Sequence, residues 1–435
     1  MKIDRFFAFG SILLTSLMTL AIIRQLSLPA PRSITPTLTG KQELCLTCHY
    51  GIEEISKSHP VEAFGCVSCH GGDPLALDKQ VAHTGLRGGK NPADFSAVEA
   101  SCGGSQCHSG SIADNNDHIQ RSTTSIQATY AGGIVQVRRA FGAQSDAVAR
   151  FGIDAITSEV TPTDRAVTQL DRFDPVASND PQAVIEFGQR CLNCHLSSEP
   201  IMQPYAYRST GCAACHVTYA SDGLYRGGDP TIDPAQPGHA SLHQLTTKIS
   251  YTTCNTCHNR GNYSLKQMTF LPRNDLPTSG SPLPEDRLRD YYQPIAQFTK
   301  CEWELGCIDC HTSKQVMGDG QLYSSKLDIQ HTQCKTCHGT LTELPQTTTI
   351  TDPNDVELRR AQLNGNYSLQ VGDKVIAIRA DEKFGAIKLI NGQYIETMKV
   401  SGQSLVIPLA TGSLCKQRPD QQSSNYCHEC HAVKR

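Results

Sequence analysis

The chain has 435 residues and a formal net charge of −3, and 38% of its residues are hydrophobic. A slightly acidic chain lacks the basic excess that binding to a nucleic-acid backbone requires, so we expect no nucleic-acid partner. The composition departs from that of an average soluble domain in its 20 cysteines. The spacing of those cysteines therefore carries most of the information about function.

Residues 1–30 have the pattern of an export signal. Lys2 and Arg5 precede an apolar run over residues 6–23. At 18 residues this run is longer than the usual core of a cleaved signal peptide and just long enough to span a bilayer. Cleavage after Ala30 is the alternative, although Pro31 follows it. We favour a retained signal anchor, which predicts a periplasmic or extracellular chain held to the cytoplasmic membrane.

Nine motifs along the chain combine two cysteines with a histidine. Eight are Cys-x-x-Cys-His: Cys45/Cys48/His49, Cys66/Cys69/His70, Cys191/Cys194/His195, Cys212/Cys215/His216, Cys254/Cys257/His258, Cys307/Cys310/His311, Cys334/Cys337/His338 and Cys427/Cys430/His431. The third motif in chain order is stretched and reads Cys102-Gly-Gly-Ser-Gln-Cys107-His108. We number the nine motifs first to ninth in chain order.

These motifs predict covalent attachment of haem. Two cysteines on one turn can form thioethers to the two vinyl groups of a haem, and the adjacent histidine then reaches the iron as the proximal ligand. A zinc ribbon or a thioredoxin-like redox pair also uses Cys-x-x-Cys, but neither requires a histidine after every pair. For the stretched motif the alternative is a disulfide beside an unrelated histidine. The sequence predicts nine haem c groups.

The first three motifs form a module at residues 41–118 that recurs at residues 187–260. In both copies a glycine, Gly65 or Gly211, precedes the second motif, which starts 21 residues after the first. Gly-Gly-Asp-Pro follows at 71–74 and at 227–230. Because both the spacing of the motifs and the tetrapeptide recur, the two segments form an internal repeat. A shorter two-haem module is predicted at residues 261–340, and the ninth haem lies in residues 413–435.

Seven histidines outside the proximal positions are candidate distal ligands: His59, His83, His118, His239, His243, His331 and His428. His83, His239 and His331 occupy equivalent places in the repeat. His59 is matched by Tyr205 in the second copy, and His428 lies inside its own motif, so it could reach only a neighbouring haem.

Seven distal candidates cannot serve nine irons. At least two irons must take another ligand, stay open or accept a histidine from another subunit. Four methionines could supply a thioether, although packing is the simpler role for each. They are Met202, Met268, Met317 and Met398.

Two stretches carry no motif. Residues 119–186 are predicted to contain helical pieces at 125–141, broken at Gly132-Gly133, and at 146–151, followed by a loop. Residues 345–412 are predicted to form a β-rich insertion with strands at 374–379, 386–390 and 394–400 and a type I′ turn at Asn391-Gly392. This insertion is either a docking surface or a unit that packs against the haems.

Cys301 and Cys415 are the cysteines that belong to no motif. Because two cysteines remain outside the motifs and an oxidising compartment favours disulfides, the sequence predicts a disulfide between them. Two unpaired cysteines left from lost sites are the alternative.

The nine motifs resemble those of the multihaem c-type cytochromes of bacterial respiratory and extracellular electron transfer. The resemblance covers about residues 41–340 and the last twenty residues. It implies a mostly irregular fold with short α-helices, organised around a chain of haems, most of them bis-histidine and of low potential. It also implies redox partner proteins.

Three functions remain open. The first is an electron conduit. The second is a reductase of small nitrogen or sulfur oxyanions at an open haem, for which Arg138, Arg139 and Tyr205 could line a pocket; the Cys-x-x-Cys-Lys motif of the resembling nitrite reductases is absent from the sequence. The third is a homo-oligomeric filament subunit. We favour the conduit because haem attachment and ligation are the chemistry that the residues encode.

Overall fold

The structure is a computed structural model that describes residues 30–112, 115–176, 179–190, 192–200, 202, 204, 206–258 and 305–434, together with residues 10, 14–19, 270–272, 292–294 and 296–298. The predicted export segment lies almost entirely outside these residues. Among the described helices, none has the length and hydropathy needed to cross a bilayer.

The chain divides into two compact units. The first comprises the described residues up to Leu86 together with Gly227–Asp233. The second comprises Arg87–Arg226 and the described residues from Pro234 onward. The first two motifs therefore belong to the first unit, whereas the stretched motif, which the repeat groups with them, belongs to the second.

Helices are short throughout the described residues. In chain order they are α1 (Val61–Phe64), α2 (Val67–His70), α3 (Lys79–Ala82), α4 (Val98–Cys102), α5 (His118–Thr124), α6 (Ile126–Thr129), α7 (Ala131–Ala140), α8 (Gln182–Arg190), α9 (Ala213–His216), α10 (Tyr251–His258), α11 (Cys307–Cys310), α12 (Ser313–Met317), α13 (Cys334–His338), α14 (Val356–Asn364) and α15 (Ser424–His431). Cys45–Thr47 and Lys326–Asp328 form 3₁₀ turns.

The strands are equally short outside the β-rich insertion. They are β1 (Phe151–Gly152), β2 (Ile156–Thr157), β3 (Ala166–Val167), β4 (Gln169–Arg172), β5 (Phe270–Pro272), β6 (Tyr292–Pro294), β7 (Ala296–Phe298), β8 (Leu322–Tyr323), β9 (Thr347–Thr349), β10 (Lys374–Arg379), β11 (Glu382–Ile390), β12 (Gln393–Thr397), β13 (Ser404–Val406) and β14 (Ala432–Lys434). β1 pairs with β4 in parallel, and β4 pairs with β2, β3 with β8, β5 with β6 and β7 with β14 antiparallel.

The glycine before the second motif has the same backbone conformation in both copies of the repeat. Gly65 has φ 65° and Gly211 has φ 59°, a region that disfavours residues with a Cβ atom. A Cβ at Gly65 would lie 2.4 Å from Cγ of Pro36, and one at Gly211 would lie 2.1 Å from the carbonyl oxygen of Ala93. Both glycines are therefore required by conformation and by space.

The 119–186 segment differs from the prediction in several places. Helix α5 precedes the predicted helices, and strands β1–β4 and the start of α8 lie where a loop was predicted. The break falls at Tyr130, which has φ 52°, and Gly132-Gly133 lies inside α7. A Cβ at Gly133 would lie 2.5 Å from the Tyr130 ring, so the glycine makes room for this tyrosine. Residues 146–151 are not helical: the Asp146 carboxylate accepts the Val148 N–H at 3.1 Å, a local bond that competes with a helix.

One core cluster of this segment combines two alanines with two leucines. Ala131 and Ala149 pack with Leu170 and Leu322, all four buried. Arg121 is also buried, and its Nε donates to the carbonyl oxygen of Gly318 at 3.1 Å. The helical segment and the residues after the seventh motif are therefore joined in the second unit.

Residues 345–412, predicted as a β-rich insertion, contain a five-stranded sheet. Its five strands form an antiparallel meander in the order β13-β12-β11-β10-β9. Asn391 and Gly392 both have positive φ, as a type I′ turn requires, and they connect Ile390 to its partner Gln393. β11 starts earlier than predicted and β12 ends earlier. One face of the sheet holds a core cluster of Ile376, Phe384, Ile387, Tyr394 and Ile407.

This insertion packs against the seventh and eighth motifs. Cys337 of the eighth motif contacts the core cluster of the sheet. Asp309, inside the seventh motif, accepts the Lys399 N–H at 2.8 Å, and the Lys399 ammonium donates to the carbonyl oxygen of Ile308 at 2.5 Å. Of the two roles considered for the insertion, packing against the motifs is the one that these contacts favour.

Candidate haem sites

Each regular motif with described backbone closes as one helical turn. The N–H of the motif histidine donates to the carbonyl oxygen of the first cysteine in four of them, at 2.9–3.1 Å: His49, His70, His216 and His311. The stretched motif closes in the same way, because His108 N–H donates to the carbonyl oxygen of Cys102 at 3.1 Å. Gly104, with φ 113°, lies in the extra length. The stretched motif thus has the same hydrogen bond between its histidine and its first cysteine as the regular motifs.

Several motif histidines hold Nδ1 against an acceptor. His216 Nδ1 lies 2.8 Å from the carbonyl oxygen of Thr246, and His338 Nδ1 lies 2.7 Å from that of Pro408. A carbonyl oxygen can only accept, so Nδ1 carries the proton in both rings and Nε2 offers its lone pair. This is the tautomer and the outer hydrogen bond that metal-binding histidines typically have.

In the first unit, the first motif faces one of the distal candidates. The ring centroids of His49 and His83 are 6.2 Å apart, and the rings are nearly perpendicular. His83 Nδ1 bonds to the carbonyl oxygen of Lys79 at 2.7 Å, so its Nε2 also carries the lone pair. Two metal–nitrogen bonds of about 2 Å on opposite sides of one ion would place two imidazole centroids about 6 Å apart. The pair fits an iron with two histidine ligands.

A second pair forms at the stretched motif in the second unit. The centroids of His108 and His118 are 5.3 Å apart. Burial, with smaller contributions from Arg121, His108 and two further arginines, lowers the pKa of His118 to about 3. Its Nδ1 is buried and has no hydrogen-bond partner in the structure. A neutral imidazole is the form that binds a metal, so the protonation state of His118 suits a distal ligand. The 5.3 Å spacing is shorter than the distance of about 6 Å expected for two ligands of one iron.

Burial keeps other motif histidines neutral as well. It is the largest cause of a lowered pKa at four of them: His195, His216, His258 and His311. Neutral imidazoles fit haem ligation better than a role as surface cations.

The first cysteines of successive motifs contact each other. Hydrogen bonds join the thiols of Cys45 and Cys66 in the first unit, and those of Cys254 and Cys307, and of Cys334 and Cys427, in the second unit. In a haem-loaded chain these sulfurs would be thioethers, so groups attached at the members of each pair would be neighbours. Sequence spacing alone did not predict these contacts.

The second cysteine of each motif differs in exposure from one motif to another. Four of these cysteines are exposed, namely Cys48, Cys107, Cys310 and Cys430, and five are half-buried, namely Cys69, Cys194, Cys215, Cys257 and Cys337. None of the nine forms a disulfide in the structure. The alternative considered for the stretched motif was a disulfide, and Cys107 forms none in the structure. The thioether role of all nine stays a prediction, as does that of Cys191, which lies outside the described residues.

Glu43 supports the second motif. Its side chain is 1% exposed, and its Oε2 accepts the N–H groups of Cys66 and Val67 at 2.7 and 3.3 Å. A carboxylate at the start of α2 satisfies donors that the helix leaves unpaired. It also lies within 4.8 Å of the Cys45 and Cys66 sulfurs, the one such group of possible metal ligands among the described residues. The sequence offered no signal for this role.

Glu43→Ala should therefore destabilise the first unit. Leaving two partly buried N–H groups without an acceptor costs about 1–3 kcal/mol. Thermal unfolding of the full chain, followed by circular dichroism, should show a lower midpoint for this variant. Glu62→Ala, an exposed carboxylate on α1, is the matched control; an equal loss in both variants would contradict the capping role.

The first motif has an acidic partner. His49 Nδ1 lies 2.6 Å from Oδ2 of Asp229, which is 4% exposed. Burial alone would raise the pKa of Asp229, but the hydrogen bonds from His49 and Thr231 outweigh it and hold the pKa below its usual value. Asp229 belongs to the second Gly-Gly-Asp-Pro. The repeat marks this tetrapeptide in the sequence, but it does not predict that the carboxylate contacts the first motif.

The other distal candidates are placed differently. His59 Nδ1 lies 3.0 Å from the Ser56 hydroxyl, and His331 Nε2 accepts from Arg379 at 2.9 Å. His239 and His243 are half-buried in the second unit. The side chain of His428 lies outside the described residues. For these five, as for His83 and His118, the distal role stays a prediction.

The methionine and pocket candidates gain little support. Met202 is 54% exposed, and Met398 is buried in the β-rich insertion. Arg138 is ion-paired with Asp180, so its guanidinium is committed within the second unit. Three of the candidates lie outside the described residues: Tyr205, Met268 and Cys301. The predicted disulfide is therefore not tested, and Cys415 is exposed.

No protein-family model, curated protein or solved structure matches this chain.

Proposed function

We propose that this chain is a multihaem c-type cytochrome that conducts electrons through nine covalently attached, mostly bis-histidine haems outside the cytoplasmic membrane. When bound, haem supplies a one-electron iron couple. The protein supplies cysteines for attachment, proximal histidines held in one tautomer, and distal histidines on the opposite side. The observation that carries the proposal is the His49–His83 pair, with Nδ1 of each ring bonded to an acceptor.

The contacts between motifs support conduction over an isolated redox site. Cys45 touches Cys66, and Cys254 touches Cys307, so attachment points of different motifs are adjacent within each unit. Attached groups that are neighbours can exchange electrons without a moving carrier. Redox partner proteins would then deliver and remove electrons, and the predicted signal anchor would hold the chain to the membrane.

Nine haems are expected per chain. The intact mass of the exported protein should exceed that of the polypeptide by nine haem masses. Closure of the stretched motif through His108 and Cys102 is the reason to count it with the other eight. If the wild type carries eight haems, the variants locate the missing one. A count that falls to seven in His49→Ala but stays at eight in Cys102→Ser/Cys107→Ser would show that the stretched motif binds no haem. A chain with no haem at all would refute the proposal.

A reductase of small nitrogen or sulfur oxyanions is the second candidate. One observation favours it: Arg379 donates to Nε2 of His331, the nitrogen that a distal ligand would need. An iron without that histidine would stay open beside a cationic side chain. Carbon monoxide binding to one haem with sustained turnover of nitrite, hydroxylamine or tetrathionate would establish the reductase. Binding to few or no haems with negligible turnover is expected for the conduit.

A further inference from the structure

Asp229 is held rigidly against the first motif. Its Oδ1 accepts the Thr231 N–H at 2.9 Å and the Thr231 hydroxyl at 2.8 Å, while its Oδ2 accepts from His49 Nδ1 at 2.6 Å. The side chain of Asp229 is 2% exposed and that of His49 is 31% exposed. All three residues belong to the first unit. The carboxylate therefore has one defined orientation towards the proximal histidine.

The equivalent aspartate of the first copy has no such role. Asp73 accepts the Leu75 N–H at 3.0 Å, the same turn that Asp229 makes with Thr231. However, Asp73 is exposed, and no contact with a histidine is described for it. The tetrapeptide thus serves a local turn in both copies, and only Asp229 additionally turns its second oxygen to an imidazole.

The acceptor at His49 also differs in charge from those of other histidines. His216 and His338 donate to neutral carbonyl oxygens. A carboxylate withdraws the Nδ1 proton more strongly, which gives the imidazole more anionic character and makes Nε2 a stronger donor to a metal. A buried charge is also poorly screened by water. Both effects stabilise ferric over ferrous iron.

We propose that Asp229 is a tuning residue that lowers the reduction potential of the haem attached at Cys45 and Cys48. This inference rests on the proposed function, because it needs a haem at the first motif. The couple concerned is the one-electron Fe(III)/Fe(II) couple of that haem. With a lower potential, this haem accepts an electron less readily, and gives one up more readily, than it would without the carboxylate. The second copy of the repeat thereby adjusts a haem of the first copy.

The test is a spectroelectrochemical titration of the full haem-loaded chain, with an electrode supplying the electrons. Asp229→Asn keeps the shape and an acceptor oxygen but removes the charge. We expect one of the nine haems to shift to higher potential in this variant. Asp73→Asn, the matched change at the equivalent exposed position, should leave all nine unchanged. An unchanged titration of Asp229→Asn with nine haems bound would overturn the inference.

A second experiment identifies the haem. In a His83→Ala background the first haem should be the high-spin component, so its potential can be followed at its own wavelength. Adding Asp229→Asn should raise the potential of that component; a shift confined to the low-spin haems would overturn the assignment. If Asp229→Asn loses a haem, Asp229→Ser is the second neutral variant, with the same expected shift. A wild-type chain without haem would refute the proposed function, whereas nine haems with unshifted potentials would refute the tuning role alone.

Discussion

Replacing His83 by alanine should convert one of nine haems from low-spin to high-spin and let it bind carbon monoxide. His83 faces His49 with ring centroids 6.2 Å apart. Its Nδ1 is bonded to the carbonyl oxygen of Lys79, which leaves Nε2 as the metal-binding atom. Loss of a strong-field distal ligand opens one coordination position. The haem count should stay at nine, because attachment uses Cys45, Cys48 and His49.

The measurement is the absorption spectrum of the purified variant before and after addition of carbon monoxide, with haem counted by intact mass. Gln80→Ala is the matched control, because Gln80 is an exposed residue of the same helix α3. An unchanged low-spin count in His83→Ala would show that His83 ligates no iron. If His83 does ligate an iron, the repeat predicts the same of its counterpart His239. His239 would then be the distal ligand of the haem whose proximal histidine is His195.

Replacing Glu396 by glutamine should stabilise the β-rich insertion at neutral and alkaline pH. Glu396 is 4% exposed on β12. Burial, and then the negative charge of Asp309, raise the pKa of Glu396 to about 8, against the opposing effect of Lys399. In the unfolded chain the pKa of a glutamate is close to its ordinary value of about 4.3. The folded state therefore binds a proton that the unfolded state releases.

The sign of the pH dependence follows from that difference. The contribution of Glu396 to the stability of the wild type is greatest below about pH 4, falls as pH rises between the unfolded and folded pKa values, and is lowest above about pH 8. Glutamine removes this loss, so its advantage should be absent near pH 4 and reach at most about 4 kcal/mol at pH 7. The difference in stability between Glu396→Gln and the wild type should therefore grow as pH rises.

Hydrogen exchange of the insertion in the full chain, at pH 5 and pH 8, measures this directly. Amides of β11 and β12 should be more protected in Glu396→Gln than in the wild type at pH 8, and the difference should be smaller at pH 5. Glu343→Gln, at an exposed position before the sheet, is the control. Equal effects at the two pH values would mean that the carboxyl group of Glu396 is not the source.

Local patterns along the chain predicted local structure where a single residue type is required. The turn at Asn391-Gly392 was foreseen because few residues accept two successive positive φ values. The predicted helix at 146–151 failed because apolar spacing does not report that the Asp146 side chain bonds to the Val148 N–H. The helix break was predicted at Gly132-Gly133 but lies at Tyr130, because the contact of the Tyr130 ring with Gly133 depends on the folded backbone.

The sequence by itself was enough to predict haem attachment, because two cysteines and a histidine within one turn can act together whatever surrounds them. It also indicated a repeat and a β-rich insertion, which are periodic features. Only the tertiary structure decided which residues meet: His49 with His83, His108 with His118, and Asp229 with His49. His49 and Asp229 are separated by 180 residues, and no local spacing can specify such a contact. It depends on how the chain packs, so the proposed tuning of the first haem followed from geometry alone.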